Sequence, residues 1–301
     1  MPVVTARDNA ALHVRLVGRG EPVLMLHGLG MESRHWLPWI APFVHRYRFI
    51  LPDARGAGRS TGVRFNQPAD IFQNLAEDVE DIVAHLGLND YTLVGYSLGA
   101  STALHFQRYR GFEGVKRYLH IDQSPCIGNA DAWPHGLFGR EQDEFFALLT
   151  TLREVLNRHA EAEHLDDLPR GDYMQVVGLL ADTLVSLTDF PWVGNTLKTA
   201  ARAQGIFCRV FPLTDLGVLR AYLDSYLEGT HDYRDSLRHC TTPITVFAGK
   251  QSPLYPLDGQ AAIRHYAPRA RLVGFERSGH LPMVDEPVKF IREFGRFLAG
   301  H

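Results

Sequence analysis

The chain has 301 residues, 45% of them hydrophobic and 22% charged, and carries a formal net charge of −3. That is enough chain for one large domain or two small ones, with an ordinary globular balance and no basic footprint for nucleic acid. No run of about 18 apolar residues provides a membrane span, and Met1-Pro2-Val3-Val4-Thr5-Ala6-Arg7-Asp8 lacks the charged-then-apolar layout of a signal peptide. Three widely spaced cysteines, Cys126, Cys208 and Cys240, form neither a disulfide framework nor a zinc motif. The fifteen histidines include no His-Glu-x-x-His or comparable ligand spacing. A cytoplasmic protein without metal or other cofactor is therefore expected.

Residues 3–17 read as two short strands, Val3–Arg7 and Ala11–Val17, turning at Asp8-Asn9. Pro22–Leu26 is a continuous apolar run, as in a strand buried on both faces of a parallel sheet, and it ends in His27-Gly28-Leu29-Gly30. A helix is expected over Trp36–His45, then a strand at Tyr47–Leu51 that runs into Asp53-Ala54-Arg55-Gly56-Ala57-Gly58-Arg59-Ser60. Apolar positions at helical spacing over 70–86 (Ile71, Leu75, Val79, Ile82, Leu86) precede Gly87, a natural stop.

A second apolar strand, beginning at Tyr91, then enters Gly95-Tyr96-Ser97-Leu98-Gly99, with helical periodicity behind it. A strand that gives way to a helix within one sharp turn holds Ser97 in a strained conformation, and a Cβ at Gly95 or Gly99 would strike neighbouring backbone. Another strand, Arg117–Ile121, ends in Asp122-Gln123-Ser124-Pro125.

Strands that alternate with helices in this way predict parallel βαβ units in an open, doubly wound sheet. From about residue 128 the rhythm becomes helical for roughly a hundred residues. Strands return at Pro243–Gly249 and Arg271–Phe275, followed by Ser278-Gly279-His280 and a closing helix over 286–298.

The Gly-x-Ser-x-Gly turn in this setting, with the His27-Gly28 loop before it and His280 after the last strand, resembles the α/β-hydrolase family. The resemblance implies an α/β-hydrolase core over 1–127 and 233–301, a helical cap over 128–232, and a serine nucleophile at Ser97 with His280 as its base. It also implies an oxyanion hole from the backbone N–H groups of Leu29 and Leu98. Asp53 precedes Ser97, against the chain order of such sites, and its glycine-rich motif is read as a structural turn.

The triad acid departs from the family pattern, because Gly249-Lys250-Gln251-Ser252 carries a serine where the carboxylate usually stands. Asp122, at the end of the preceding strand, is the preferred replacement and keeps the order Ser97, Asp122, His280. Asp258 and Asp285 are the other available replacements, and each is also explained as a helix cap. Pocket walls are expected from Trp36, Trp133 and Phe138, with Phe145, Phe146, Phe190, Trp192, Phe207 and Phe211 as further candidates.

The expected activity is hydrolysis of a carboxylic ester with a small to medium, largely apolar acyl group. Lactonase, thioesterase, carbon–carbon bond hydrolase and perhydrolase reactions use the same residues. The alternative from another class is a non-catalytic ligand-binding protein on a hydrolase scaffold, suggested by the missing carboxylate at 252. A small-molecule substrate is the expected partner, without nucleic acid or membrane, and a homodimer is left open.

Overall fold

In the computed structural model, residues 3–66, 70–130, 132–186, 215–229 and 231–301 are described. β1 (Val3–Thr5) and β2 (Ala11–Gly18) form an antiparallel hairpin in which Asn9 takes a φ of 67° at the turn. β3 (Glu21–Leu26), β4 (Tyr47–Pro52), β5 (Tyr91–Tyr96), β6 (Val115–Ile121), β7 (Ile244–Gly249) and β8 (Ala270–Phe275) complete an eight-stranded sheet. The strand order is β1-β2-β4-β3-β5-β6-β7-β8, and every pairing from β4 to β8 is parallel. The strands expected from apolar runs are all present, with ends shifted by one or two residues.

Both faces of the sheet are covered, which is why β5 and β7 are buried at every position. Alternate residues feed opposite layers. Leu24 and Leu26 pack with Val79 and Ile82 of α2 (Ile71–His85) and with Leu104 of α3 (Leu98–Arg110). Val23 and Met25 pack on the other side with Trp36, Ile40 and Phe290. α2 begins at Asp70, whose carboxylate accepts Gln73 N–H at 3.2 Å, and Gly87 follows it with a φ of 57°.

The helix expected over Trp36–His45 is instead three short pieces: 3-10 turns at Ser33–Trp36 and Ala41–Phe43 flank α1 (Leu37–Ile40). Pro38 and Pro42 supply the physical reason, since each removes a helical N–H and crowds the preceding turn.

Between β6 and β7 lie α4 (Gln142–Asn157), α5 (Arg170–Ser186) and α6 (Leu216–Glu228). Their apolar faces form one cluster, in which Leu152, Val177 and Leu219 join Phe72, Leu98 and Leu254 from around the sheet. The two ends of this segment are stitched to each other. Ile127 N–H donates to His231 O at 3.1 Å, Tyr233 N–H donates to Pro125 O at 2.8 Å, and Cys126 bridges Asp232.

α7 (Arg234–Arg238), α8 (Leu257–Ala261), α9 (Ile263–Tyr266), α10 (Pro282–Asp285) and α11 (Pro287–Leu298) complete the described helices. None of the described helices is long and apolar enough to cross a membrane. Cys126 and Cys240 are buried free thiols, and Cys208 lies outside the described residues.

Candidate active site

The turn from β5 into α3 holds Ser97 at φ 51° and ψ −116°, a conformation that few side-chain-bearing residues adopt. Its flanking glycines are sterically required. A Cβ on Gly95 would lie 2.6 Å from Gly99 O, and one on Gly99 would lie 2.3 Å from Leu26 O. Close packing of α3 on β3 and β5 thus presents the Ser97 hydroxyl above the carboxyl ends of the strands.

His280 follows β8 on a loop anchored by Asp285, whose carboxylate accepts Gly279 N–H at 3.0 Å and the Ser278 hydroxyl at 3.1 Å. Asp285 is therefore not the cap expected from the sequence; Glu286 occupies the N-cap of α11. His280 Nε2 lies 2.9 Å from Ser97 Oγ, and His280 Nδ1 lies 2.5 Å from Asp122 Oδ2. An ionised carboxylate only accepts, so Nδ1 carries the proton and Nε2 is free to receive one from the serine hydroxyl.

Asp122 is fully buried and takes a φ of 44° directly after β6. Four donors reach its carboxylate: Gly249 N–H and Gln260 Nε2 on Oδ1, each at 2.9 Å, and Ser252 Oγ at 2.7 Å with His280 Nδ1 on Oδ2. The serine at 252 thus points its hydroxyl at the carboxylate rather than replacing it. Asp258 is exposed in the first turn of α8 and takes no part in this group. Sequence reasoning missed Gln260 altogether, because nothing in the sequence around a glutamine on a short helix indicates which carboxylate it faces.

The loop after β3 is pinned through His27, which is held neutral because burial pushes its pKa down. Its Nδ1–H donates to Gly28 O at 2.9 Å, and its Nε2 accepts Ala54 N–H at 3.0 Å. Leu29 is on the wall of the same cavity as Ser97 and His280. Leu98 is the first residue of α3, where a backbone N–H has no intrahelical carbonyl to meet. Asp53 behaves as the expected structural turn: its carboxylate accepts Ser33 N–H at 2.6 Å and Arg59 N–H at 3.1 Å, and it contacts His13 Nδ1 at 2.9 Å.

Ser97 and His280 open onto a cavity of about 250 Å³ between the sheet and the helices that follow β6. Its described walls are almost wholly apolar, with Leu149, Leu152, Leu180 and Leu223 among them, and they include Phe145 as expected. Three expected wall residues are corrected. Trp36 is fully buried beneath the site, packed edge-on against Tyr96 at 6.4 Å, because the short α1 region turns it toward the sheet. Trp133 packs with Cys126 and Ala262 under the Arg234 guanidinium, away from the cavity. Phe138 stands behind Phe145, ring to ring at 4.3 Å, so only the latter meets the space. Phe146 packs against the same cluster without lining the cavity. Phe190, Trp192, Phe207 and Phe211 lie outside the described residues.

Among the described residues one group, Asp70, His105 and His231, brings three ligand-type atoms within 4.8 Å of one another. None of the three lines the cavity. Each histidine has hydrogen-bond partners: Gln73 and Tyr233 for His105, Ser225 for His231. Burial lowers the pKa of both, that of His105 to about 4.

Residues 21–287 match the family described as alpha/beta hydrolase fold. The chain belongs to the α/β-hydrolase fold family and is a hydrolase. It is 25% identical over 285 residues to a pimeloyl-[acyl-carrier protein] methyl ester esterase of Nitrosomonas europaea, covering 95% of this chain and 98% of the relative. It is 27% identical to a non-heme chloroperoxidase of Kitasatospora aureofaciens, over 99% of each chain. The solved esterase of Exiguobacterium antarcticum superimposes with a TM-score of 0.71 at 21% identity, over 99% of both chains, and shows the same fold.

Proposed function

We propose that the protein hydrolyses carboxylic esters with a small to medium, largely apolar acyl group, through an acyl-enzyme on Ser97. The observation that carries this reading is the continuous contact from Asp122 through His280 to Ser97 at the mouth of an apolar cavity. His280 takes the Ser97 proton as the oxygen attacks the carbonyl carbon, then protonates the departing alcohol. In the second half, His280 activates a water that cleaves the acyl–serine bond and regenerates the hydroxyl. Asp122 holds the imidazole tautomer and stabilises its cation. The N–H groups of Leu29 and Leu98 receive the oxyanion.

The names of the relatives support ester cleavage, and they also include haloperoxidases. A carboxylate in contact with His280 supports the catalytic reading over the non-catalytic one that Ser252 suggested. The helices after β6 serve as the cap, a small molecule is the substrate, and the cytoplasm is the proposed location.

The test is hydrolysis of p-nitrophenyl butyrate by the parent, Ser97→Ala and Asp122→Asn, each first confirmed as folded by circular dichroism. A fluorophosphonate probe should label the parent and not Ser97→Ala. A parent that is neither labelled nor faster than Ser97→Ala would sink the proposal.

A further inference from the structure

We propose that Ser252 and Gln260 are positioning residues that hold the Asp122 carboxylate, and that Ser252 sets how strongly that carboxylate supports His280 as a base. The inference rests on the reading of Ser97, His280 and Asp122 as the catalytic group.

An ionised carboxylate offers about four lone-pair sites. Asp122 fills them with Gly249 N–H, Gln260 Nε2, Ser252 Oγ and His280 Nδ1. The four donors come from separate parts of the chain and fix the position of the carboxylate. Gln260 has no freedom to turn its amide, because its nitrogen donates both to Asp122 Oδ1 at 2.9 Å and to Tyr255 O at 3.0 Å, and both are acceptors. That orientation leaves Gln260 Oε1 buried without a hydrogen-bond partner among the described residues.

Ser252 is placed differently. Its hydroxyl reaches Oδ2, the same oxygen that receives His280 Nδ1. A donor there draws charge away from the imidazole, so it lowers the stabilisation of the His280 cation. Removing the hydroxyl leaves more of that charge facing the imidazole, which favours its cation.

The other titratable groups around the pair leave this sign intact. Tyr96 and Tyr255 pack against the His280 ring, and burial pushes both phenols well above their ordinary range, so they stay neutral. His120, on the same strand as Asp122, is pushed down to about 4 by burial and is neutral at the pH of assay. Asp285 acts on the His280 loop through Gly279 N–H and is unchanged by these variants.

The experiment compares kcat, KM and the acid limb of kcat/KM for the parent, Ser252→Ala, Ser252→Thr, Gln260→Met and Asp122→Asn, with active sites counted by fluorophosphonate titration. Ser252→Ala is expected to lose activity severalfold in kcat at unchanged KM and to move the acid midpoint upward by about half a pH unit or more. Ser252→Thr should restore both. Gln260→Met, which keeps the volume and removes a donor from Oδ1, should move the midpoint the same way and carries the test if Ser252→Ala does not fold. An unchanged or lowered midpoint overturns the inference, whatever the rate. An Asp122→Asn variant as fast as the parent would instead overturn the catalytic reading beneath it, so the two failures are distinguishable.

Discussion

Ser97 and Asp122 leave neighbouring parallel strands at the same level. Tyr96 pairs with Ile121 in the sheet, Ser97 N–H donates to Ile121 O at 3.1 Å, and the two residues take left-handed φ values of 51° and 44°. Ser97 and Asp122 are therefore both presented by strained strand ends on neighbouring strands, and His280 spans the gap between them. Strain of this kind costs about 1–3 kcal/mol per residue, and at Ser97 it should be measurable. Ser97→Gly relieves the φ penalty while Ser97→Ala keeps it. Both should be inactive, with the glycine variant more stable by about 1 kcal/mol in urea unfolding. Equal stabilities would mean that the turn is not strained in solution.

Asp122→Asn should lower kcat by about 10⁴-fold, since an amide lets the histidine adopt the wrong tautomer. Asp258→Asn should leave the rate near that of the parent, because Asp258 is exposed on α8. Steady-state kinetics on p-nitrophenyl butyrate decides both, and the reverse pattern would return the acid role to residue 258.

Acid stability should depend on His120. This side chain is fully buried, accepts the Tyr118 hydroxyl at 2.9 Å, donates to Gln123 O at 2.8 Å, and titrates at about 4 because burial disfavours its cation. In the unfolded chain it titrates near 6.5, so between those values the unfolded state binds the extra proton. Its contribution is complete above pH 6.5 and is lost as pH falls toward 4, by about 3 kcal/mol. Asp78, raised to about 6 by burial, works in the opposite sense, but it is common to both proteins compared. His120→Gln should be less stable than the parent at pH 7 and show a shallower loss between pH 6.5 and 4. Parallel stability curves from urea titrations would refute this.

On the proposed reading the cavity limits the acyl length. Leu149 is on its wall, and Leu149→Trp fills space that a longer chain needs. The ratio of kcat/KM for p-nitrophenyl octanoate over acetate should fall about tenfold or more, as expected when one or two methylenes lose their pocket. An unchanged ratio would place the acyl chain elsewhere.

Much of this was legible from residue order because parallel strands buried on both faces leave long apolar runs, and β3, β5 and β7 each do so. The places of Ser97 and His280 at strand ends could be read from the glycines beside them, and the structure brings the two into contact. Asp122 could be read only by elimination, from the absence of an acid at 252, and its partner Gln260 left no trace. The pocket walls were the least legible. Trp36, Trp133 and Phe138 are apolar in the right neighbourhoods, but which face an aromatic ring turns to depends on the packing of other segments, and no local pattern records that. The prolines at 38 and 42 were visible in the chain, yet the apolar periodicity around them suggested one helix where three short turns form.

The stitched ends of the segment between β6 and β7 have a consequence for how this molecule can change. Because residues 125–127 are tied to residues 231–233, the helices between them start and finish at nearly one point on the scaffold. Ser97, Asp122 and His280 all lie outside that loop of chain. A whole helical segment can thus be exchanged for one of different length, as a graft on a single stem, without re-registering any strand of the sheet. The wall supplied by Leu149, Leu180 and Leu223 and the contacts among Ser97, His280 and Asp122 are in this sense separate parts of one polypeptide.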